Sequence, residues 1–305
     1  MKEGVLEGPL GPEHGTGWLH NIVITGKKWD PNKIRVTLDT RALNKVLEKG
    51  EFPIPSAEQL RHNFAGSDRF STIDCNHAFF QFELDDETQE LFYSITPFGI
   101  YKWKRLVMGA PPASGECHSK MGMVVQGLKG VEQIKDDIVV HGKGQEHDSN
   151  LKKLLQRLDK YGITLRKEKC SFGKAEVSWF GHVFNGKGMS PDPKKIATVK
   201  AWPVTSDKSA VKSFLQTAQF LAPYIKCKKK DRTYSDITAP LRKLTNKNVH
   251  FKWGKEEQKS FDRINDMLVE DLTLAHYDSK KRTRLYVDHG STGLGTMLAQ
   301  WHEDP

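Results

Sequence analysis

The sequence predicts an α+β fold, because strand signals and helix signals both occur but do not alternate strictly along the chain. Short, apolar, β-branched segments such as Phe70–Ile73 and Ile138–Val140 are typical of strands. From Leu151 to Leu158, leucine recurs at positions i, i+3, i+4 and i+7, which is the spacing of an amphipathic helix. This order of signals favours a mixed arrangement of sheets and helices.

The first half of the chain contains most of the predicted strands. They are Trp18–Thr25, Ile34–Leu38, Phe70–Ile73, Phe79–Leu84, and the hairpin pair Tyr93–Thr96 and Ile100–Lys104 around Pro97, Phe98 and Gly99. A short helix is predicted within Pro53–Phe64. A longer one is predicted around Gly115–Gly127, after Pro111 and Pro112 break the chain.

The second half is richer in helices. The helix of Leu151–Tyr161 is followed by Gly162, in the position expected of a C-terminal cap. The other predicted elements are strands at Ile163–Leu165, Val177–Phe184 and Arg284–Asp288, a helix over Val211–Ala222 with Ser206 or Asp207 as its N-cap, and a helix near Lys255–Leu268.

Composition places the chain among folded globular proteins. Its 305 residues suffice for two or three packed units, with 37% hydrophobic and 28% charged residues. No apolar run of about 18 residues occurs, so no membrane partner is expected. The N-terminus lacks the apolar core of a signal peptide, and the four cysteines form no C-x-x-C pair. We therefore expect an intracellular protein, cytoplasmic or nuclear and not secreted, without a disulfide framework or zinc site.

The charge balance is basic. Lys and Arg number 47 against 38 Asp and Glu, for a formal net charge of +9. Such an excess favours a polyanion partner such as nucleic acid, although a basic solvated surface explains it equally well.

Two adjacent carboxylates, Asp136 and Asp137, lie inside the strand-like stretch Val131–Val140. The simplest structure is a β-hairpin with the aspartates at or near its tip. For this stretch alone, an ordinary polar turn is the simpler interpretation. Asp74 provides another carboxylate at the end of the Phe70–Ile73 strand, and the acidic groups converge if the strands pair.

Converging carboxylates indicate a magnesium site, since Mg²⁺ prefers carboxylate oxygens with water and phosphate as further ligands. Asp74 and Asp136 are the better candidates for direct ligands, with Asp137 turned partly aside, because strand side chains alternate in direction. Two Mg²⁺ ions about 3.5–4 Å apart can activate a hydroxyl and stabilise a leaving oxygen. Lys28 and Arg35 could hold a triphosphate, although each alone is better explained as a solvated surface charge.

Several sequence blocks, in order, identify a family. They are Arg35–Asn44 (RVTLDTRALN), Phe70–Asp74 (FSTID), Thr96–Tyr101 (TPFGIY), Arg105–Ala113 (RLVMGAPPA), the Asp136–Asp137 hairpin, Lys169–Gly173 (KCSFG), Trp179–Val183 (WFGHV), Met189–Lys195 (MSPDPKK) and Ala239–Leu241 (APL). Together they resemble the reverse transcriptase region of gypsy-type LTR-retrotransposon polyproteins, which is related to retroviral reverse transcriptase. The resemblance extends over nearly the whole chain from about residue 19.

The resemblance implies a right-hand polymerase fold with fingers, an antiparallel palm sheet and a thumb, followed by a truncated RNase H-like segment. The implied fingers are 1–49 and 82–112, the palm 50–81 and 113–188, the thumb 189–248, and the tether with an incomplete RNase H-like domain 249–305. The implied activity is RNA-directed DNA polymerase, with an RNA or DNA template-primer and dNTPs as partners and two Mg²⁺ ions, or Mn²⁺, as cofactors. The oligomeric state is left open.

Site residues are implied position by position. Asp74, Asp136 and Asp137 match the catalytic aspartates, and Lys28 and Arg35 match residues that grip the triphosphate. Phe79 matches the ring that blocks a ribose 2′-hydroxyl, although taken alone it is better explained as a core aromatic. Met108 occupies the position beneath the incoming base pair, where family members commonly carry Phe. Trp179, Phe180 and Gly181 match the primer grip, where a buried strand is the alternative.

Two departures favour a second interpretation. The family has an aromatic residue and then a small or apolar one before the paired aspartates, whereas this chain has Ile134 and Lys135. Ile134 keeps bulk without stacking, and Lys135 brings a cation beside the metal ligands. The alternative is therefore a catalytically impaired, nucleic-acid-binding relic of such a polyprotein. Asp288 matches the first acidic ligand of RNase H, and since the others would lie beyond Pro305, no RNase H activity is expected.

Overall fold

The fold is that of a computed structural model, which describes residues 4–11, 17–27, 30–48, 50, 52–205, 207–225, 234–268, 273–278, 280–290 and 293–300. The chain forms two compact units. The first comprises residues 1–56 and 68–174, and the second comprises 57–67 and 175–305. Both strands and helices are present, so the α+β prediction is confirmed.

The strands follow each other through both units. They are β1 (Leu6–Leu10), β2 (Leu19–Lys27), β3 (Asp30–Leu38), β4 (Arg69–Asp74), β5 (Tyr93–Thr96), β6 (Gly99–Trp103), β7 (Val131–Ile134), β8 (Asp137–Gly142), β9 (Ser171–Lys174), β10 (Glu176–Trp179), β11 (His182–Asn185), β12 (Gly188–Pro191), β13 (Leu274–Ala275), β14 (Thr283–Gly290) and β15 (Gly293–Gln300).

The helices are fewer in the first unit than in the second. The α-helices are α1 (Ala57–Leu60), α2 (Asp86–Gln89), α3 (Ala113–Val125), α4 (Gln145–Lys160), α5 (Pro193–Lys200), α6 (Lys208–Leu221), α7 (Tyr234–Leu244) and α8 (Lys255–Asp266). Short 3₁₀ helices occur at Leu43–Lys45, Arg61–Phe64, Ala78–Gln81, Lys167–Lys169 and Ala222–Tyr224. Within the described parts of the chain, no helix has the length and apolar character needed to cross a bilayer.

Two sheets organise the first unit. One has the strand order β1-β6-β5-β2-β3, and the other is antiparallel with the order β7-β8-β4-β9. Helices α3 and α4 pack against the second sheet and bury Met121, Leu154 and Leu158 with Ile73 and Ile138 of the central strands. The core therefore lies directly beneath the strand ends that carry the paired aspartates.

A buried polar chain ties β4 to its neighbours. Ser71 Oγ accepts the backbone N–H of Gly173 at 3.0 Å and lies 2.8 Å from His147 Nε2. His147 Nδ1 lies in turn 2.9 Å from Asp148 Oδ1. The residue types are those of a hydrolase triad, but Ser71 and His147 are each only 1% exposed, so no substrate can reach the hydroxyl. These hydrogen bonds instead fasten β9 and the first turn of α4 to the strand that ends at Asp74.

The second unit contains an antiparallel sheet in the order β10-β11-β12-β13 and helices α5 to α8. Phe64 packs between Trp179 and Phe184, with ring centroids 5.8 Å and 4.5 Å away. Asp207 caps α6 by accepting the backbone N–H groups of Ser209 and Ala210, which confirms one of the two predicted N-caps. Strands β14 and β15 form a hairpin of their own.

Three strand predictions were wrong in detail. Ile163–Leu165 forms no strand but only an isolated bridge between Leu165 and Cys75. Instead of a strand at Phe79–Leu84, the chain forms the 3₁₀ helix Ala78–Gln81, because His77 adopts a left-handed conformation with φ of 47° and turns the backbone. Val177–Phe184 is not one strand but the hairpin β10–β11, since Phe180 and Gly181 both have positive φ angles of 49° and 81°. Paired positive φ angles are typical of tight two-residue hairpin turns.

Candidate active site

The paired aspartates lie at the end of the second sheet. Strands β7 and β8 form the predicted hairpin, in which Ile134 pairs with Asp137 and leaves Lys135 and Asp136 as the two turn residues. On the other side of β8, Asp74 at the end of β4 pairs directly with Asp137. The register therefore brings the three predicted carboxylates to one edge of the sheet, although it is Asp137 that faces Asp74 across the strands.

A cleft of about 1090 Å³ opens at this edge. Asp74 and Asp136 line it, together with three other residues predicted from the sequence, Arg35, Phe79 and Met108. Arg35 is exposed on β3, and Met108 is half-buried in the turn before α3. Residues from two sheets and three loops thus meet around one space within the first unit.

The cleft has a strongly negative end. The burial of its carboxyl, and then the negative charges of Asp136 and Asp74, raise the pKa of Asp137 to about 6, even though the residue retains exposed surface. Burial, with the same two charges adding to it, raises the pKa of the Cys75 thiol to about 12. Lys169 offsets part of this charge, since its Nζ lies 3.1 Å from Asp74 Oδ2. A site of this kind favours a bound cation.

The carboxylates do not by themselves form a closed metal cage. Across the described ranges, no three His, Cys, Asp or Glu side chains are drawn together as a metal-binding group. The donor chemistry nevertheless suits a divalent ion, because a bound positive charge offsets the burial and the negative charges of Asp136 and Asp74 that raise the pKa of Asp137.

We expect Asp137→Asn to stabilise the metal-free protein at neutral pH. The folded pKa of about 6 lies above the ordinary value of 3.8, so wild-type stability falls as the pH rises from about 4 to about 6. The variant has no ionisable carboxyl at this position, so it does not lose this stability as the pH rises. Its advantage should be absent near pH 4 and present at pH 7.5, at no more than about 1 kcal/mol because solvent screens the exposed group.

Thermal unfolding in the presence of a chelator, at both pH values, measures this difference. An asparagine variant that is less stable than the wild type at pH 7.5 would contradict the electrostatic account. Added Mg²⁺ should make the wild type more stable than the variant, because the ion stabilises the ionised wild-type carboxyl.

Phe79 is held at the cleft by local hydrogen bonds. It lies in the Ala78–Gln81 turn, whose Gln81 side chain donates to the carbonyl of Asn76 at 2.7 Å and accepts from the backbone N–H of Thr164 at 2.6 Å. The ring is half-buried and packs against the core while lining the cleft. The ring therefore packs in the core, as one interpretation of the sequence predicted, and also faces the cleft.

Sequence reasoning missed three residues that line the cleft. Arg166 reaches it because its backbone N–H donates to the carbonyl of Asp74 at 2.9 Å, and Lys169 follows in the next 3₁₀ turn. His77 lies on the same wall. The block Lys169–Gly173 was a signal for Lys169, but the pairing that brings Arg166 to Asp74 spans about 90 residues and leaves no local pattern.

The predicted primer-grip residues lie in the second unit. Trp179 is buried, whereas Phe180 is 40% exposed at the tip of the β10–β11 turn. A Cβ at Gly181 would lie only 3.0 Å from the Phe220 ring, and its φ is 81°, so glycine suits this position on two grounds. The tip thus presents an aromatic ring to its surroundings.

Other predicted residues lie outside the part of the chain that the structure describes. They are Lys28, Ser206 and the side chain of Asp288. The backbone of Asp288 does belong to β14, where it pairs with Gly295. The proposed roles of these residues, and the predicted absence of RNase H activity, stay predictions.

Two family models match the sequence. The model described as reverse transcriptase (RNA-dependent DNA polymerase) matches residues 26–184, and that of the RNase H-like domain found in reverse transcriptase matches residues 253–305. The first match covers the predicted site residues from Lys28 to Gly181, whereas five other residues that line the cleft precede it: Val5, Leu6, Asn21, Ile22 and Ile24.

Similar proteins include transposon polyproteins. The retrovirus-related Pol polyprotein from transposon 412 of Drosophila melanogaster is 28% identical over 288 residues, which is 92% of this chain and 23% of that protein. The Tf2-3 transposon polyprotein of Schizosaccharomyces pombe is 26% identical over 274 residues, or 89% of this chain and 20% of that protein. The chain thus spans about a fifth to a quarter of these relatives.

Solved structures share the fold. A foamy viral protease-reverse transcriptase in complex with double-stranded DNA superposes with a TM-score of 0.85 at 19% identity, covering 98% of this chain and 51% of that one. The foamy viral enzyme in complex with an RNA/DNA hybrid superposes with a TM-score of 0.79 at 18% identity, covering 97% of this chain and 39% of that one. These matches confirm the predicted polymerase fold.

Proposed function

Because the chain belongs to the reverse transcriptase family, we propose that it is an RNA-directed DNA polymerase that extends a primer on an RNA or DNA template. The observation that carries this proposal is the meeting of Asp74, Asp136, Arg35 and Phe79 around one cleft. Carboxylates for metal and a cation for phosphate are groups that nucleotidyl transfer requires, and a ring beside them can select the sugar.

The carboxylates are proposed to hold two Mg²⁺ ions, or Mn²⁺ in their place. Asp74 and Asp136 would be the main ligands, and Asp137 would add negative charge from the neighbouring position. The ions, when bound, lower the pKa of the primer 3′-hydroxyl and stabilise charge on the leaving pyrophosphate. Lys169 now pairs with Asp74, so an ion that takes its place leaves the ammonium group available to a phosphate oxygen.

The other cleft residues are proposed to bind and select the dNTP. Arg35 and Lys28 would grip the triphosphate, and Arg166, which also lines the cleft, would add positive charge. The Phe79 ring would occupy the space that a ribose 2′-hydroxyl needs. Met108 would support the incoming base pair, since a thioether adapts readily to the surface of a flat ring.

Further residues are proposed to bind the template-primer. Trp179, Phe180 and Gly181 would support the primer strand, and the excess positive charge would neutralise backbone phosphates. The division into fingers at 1–49 and 82–112, palm at 50–81 and 113–188, thumb at 189–248, and a tether with RNase H-like segment at 249–305 belongs to the same proposal. The complexes of the foamy viral enzymes with double-stranded DNA and an RNA/DNA hybrid support the proposed binding of a template-primer.

One observation favours a second candidate, a nucleic-acid-binding relic without polymerase activity. Lys135 occupies the turn beside Asp136, and its positive charge is close enough to offset a small part of the rise in the pKa of Asp137. Together with the Lys169–Asp74 pair, it provides cations that compete with Mg²⁺ for the carboxylates.

Primer extension on an RNA template separates the two candidates. The enzyme should incorporate dNTPs with Mg²⁺ or Mn²⁺, and template-primer binding should weaken steeply with salt. Binding without any incorporation in either metal would reject the polymerase and leave the relic. Binding that does not respond to salt would remove nucleic acid as the partner of the positive charge.

A further inference from the structure

His118 on α3 contacts the turn that carries Asp136. Its Nδ1 lies 3.2 Å from the backbone nitrogen of Lys135 and 2.9 Å from Nε2 of Gln133. The same Gln133 amide also donates to the carbonyls of His118 and Lys135, at 3.2 Å and 2.5 Å. Lys135 is therefore bound to one imidazole through its N–H and to one amide through its carbonyl.

These contacts allow only one arrangement of protons on His118. A backbone nitrogen can only donate, so Nδ1 must accept with its lone pair. The ring proton then lies on Nε2, and the ring also has the Pro53 backbone as a hydrogen-bond partner. Burial and the nearby charge of Lys135 lower the pKa of His118, so the neutral ring that this arrangement needs is the favoured form.

Packing of α3 explains how the imidazole reaches both partners. Gly115, three residues earlier, lies on the same face of α3 as His118. A Cβ at Gly115 would lie 2.1 Å from the Phe52 ring, so this glycine lets the Phe52–Pro53 segment lie directly against the helix. His118 therefore bridges that segment on one side and the β7–β8 turn on the other.

The turn needs such support because Lys135 is strained. Its φ of 57° places a non-glycine residue in the left-handed region, which is sterically disfavoured for L-residues. A conformation of this kind persists only where its surroundings hold it. The N–H that the turn directs at His118 supplies that constraint, one residue before Asp136.

We propose that His118 is a positioning residue of the polymerase, whose Nδ1 acceptor holds the Lys135–Asp136 turn in the conformation that directs the Asp136 carboxylate into the cleft. The proposal rests on the proposed function. It assigns a role to a helix residue that touches neither substrate nor metal, and it acts through two hydrogen bonds.

Three substitutions separate the acceptor from the bulk of the ring. His118→Asn retains an acceptor near the place of Nδ1, His118→Gln retains a polar group only near Nε2, and His118→Leu removes both. We expect the leucine and glutamine variants to lose 10- to 100-fold in the single-turnover rate of dNTP incorporation. The KM for dNTP and the affinity for template-primer should stay within about twofold, and asparagine should recover most of the rate.

Two readouts do not depend on catalysis. Amide exchange at Lys135 should be about tenfold faster in the leucine and glutamine variants, since a lost hydrogen bond of about 1.4 kcal/mol corresponds to that factor. Their affinity for Mn²⁺ alone, followed by electron paramagnetic resonance, should fall, while the asparagine variant should match the wild type in both measurements. Thermal midpoints within a few degrees of one another confirm folding.

The proposal is overturned if the leucine variant keeps the wild-type rate and Lys135 protection, or if asparagine behaves like leucine. Should the leucine variant not fold, the asparagine and glutamine pair decides, because each retains one polar contact. A wild-type chain that never extends a primer rejects the proposed function instead. The exchange and Mn²⁺ measurements then decide the role of His118 by themselves.

Discussion

Replacing Asp136 with asparagine should reduce primer extension by a factor on the order of 10³ or more in Mg²⁺. The substitution keeps the size of the side chain and removes one negative charge from the cleft that Asp74 also lines. An amide is a poorer ligand for a hard divalent ion than a carboxylate, so metal affinity falls together with rate. Single-turnover extension on an RNA template, titrated with Mg²⁺ and with Mn²⁺, measures both effects.

Asp266→Asn is the matched control, since it removes the same charge from an exposed position at the end of α8. It should extend primers at the wild-type rate, and both variants should bind template-primer as the wild type does. Unchanged extension by the Asp136 variant would show that the metal-ligand assignment is wrong. Equal losses in both variants would trace the effect to net charge.

Replacing Phe79 with valine should relax the discrimination between deoxyribonucleotides and ribonucleotides by about 10- to 100-fold. The ring lines the cleft and is held by the 3₁₀ turn at Ala78–Gln81, so its removal opens space at the sugar without moving the carboxylates. The ratio of kcat/KM for a dNTP to that for the matching rNTP, measured by single-nucleotide incorporation, reports the change.

Phe82→Val provides the comparison for Phe79. Phe82 packs against the same core and loses the same ring, but it does not line the cleft. Both variants should lose comparable stability, while only the Phe79 variant should accept ribonucleotides. If the Phe82 variant relaxes discrimination equally, loss of core packing explains the effect and the assignment of Phe79 to the sugar fails.

Local patterns carried much of the prediction. Alternating or continuous apolar residues predicted the β7–β8 hairpin, and leucine spacing predicted α4, whose end is marked by Gly162 with a φ of 67°. These features depend on residues that are close in the chain, so their physical causes can be read directly from the sequence. The family blocks likewise predicted the fold that the structural comparisons confirm.

The β-strand predicted at Phe79–Leu84 was wrong, because contacts between distant residues decide the structure there. Its aromatic and apolar residues favour a strand, but the left-handed His77 and the hydrogen bonds from Gln81 to Asn76 and Thr164 select a 3₁₀ turn. Tertiary contacts outweigh intrinsic strand propensity, which spans only about 1 kcal/mol.

By itself the sequence determined the family, the α+β character and the candidate carboxylates, because these depend on residue type and on short-range order. Only the tertiary structure decided that Asp137 faces Asp74, that Lys169 pairs with Asp74, and that His118 holds the turn before Asp136. Each of these contacts joins residues from separate elements. Their distances follow from strand register and helix packing, which no local pattern of residues specifies.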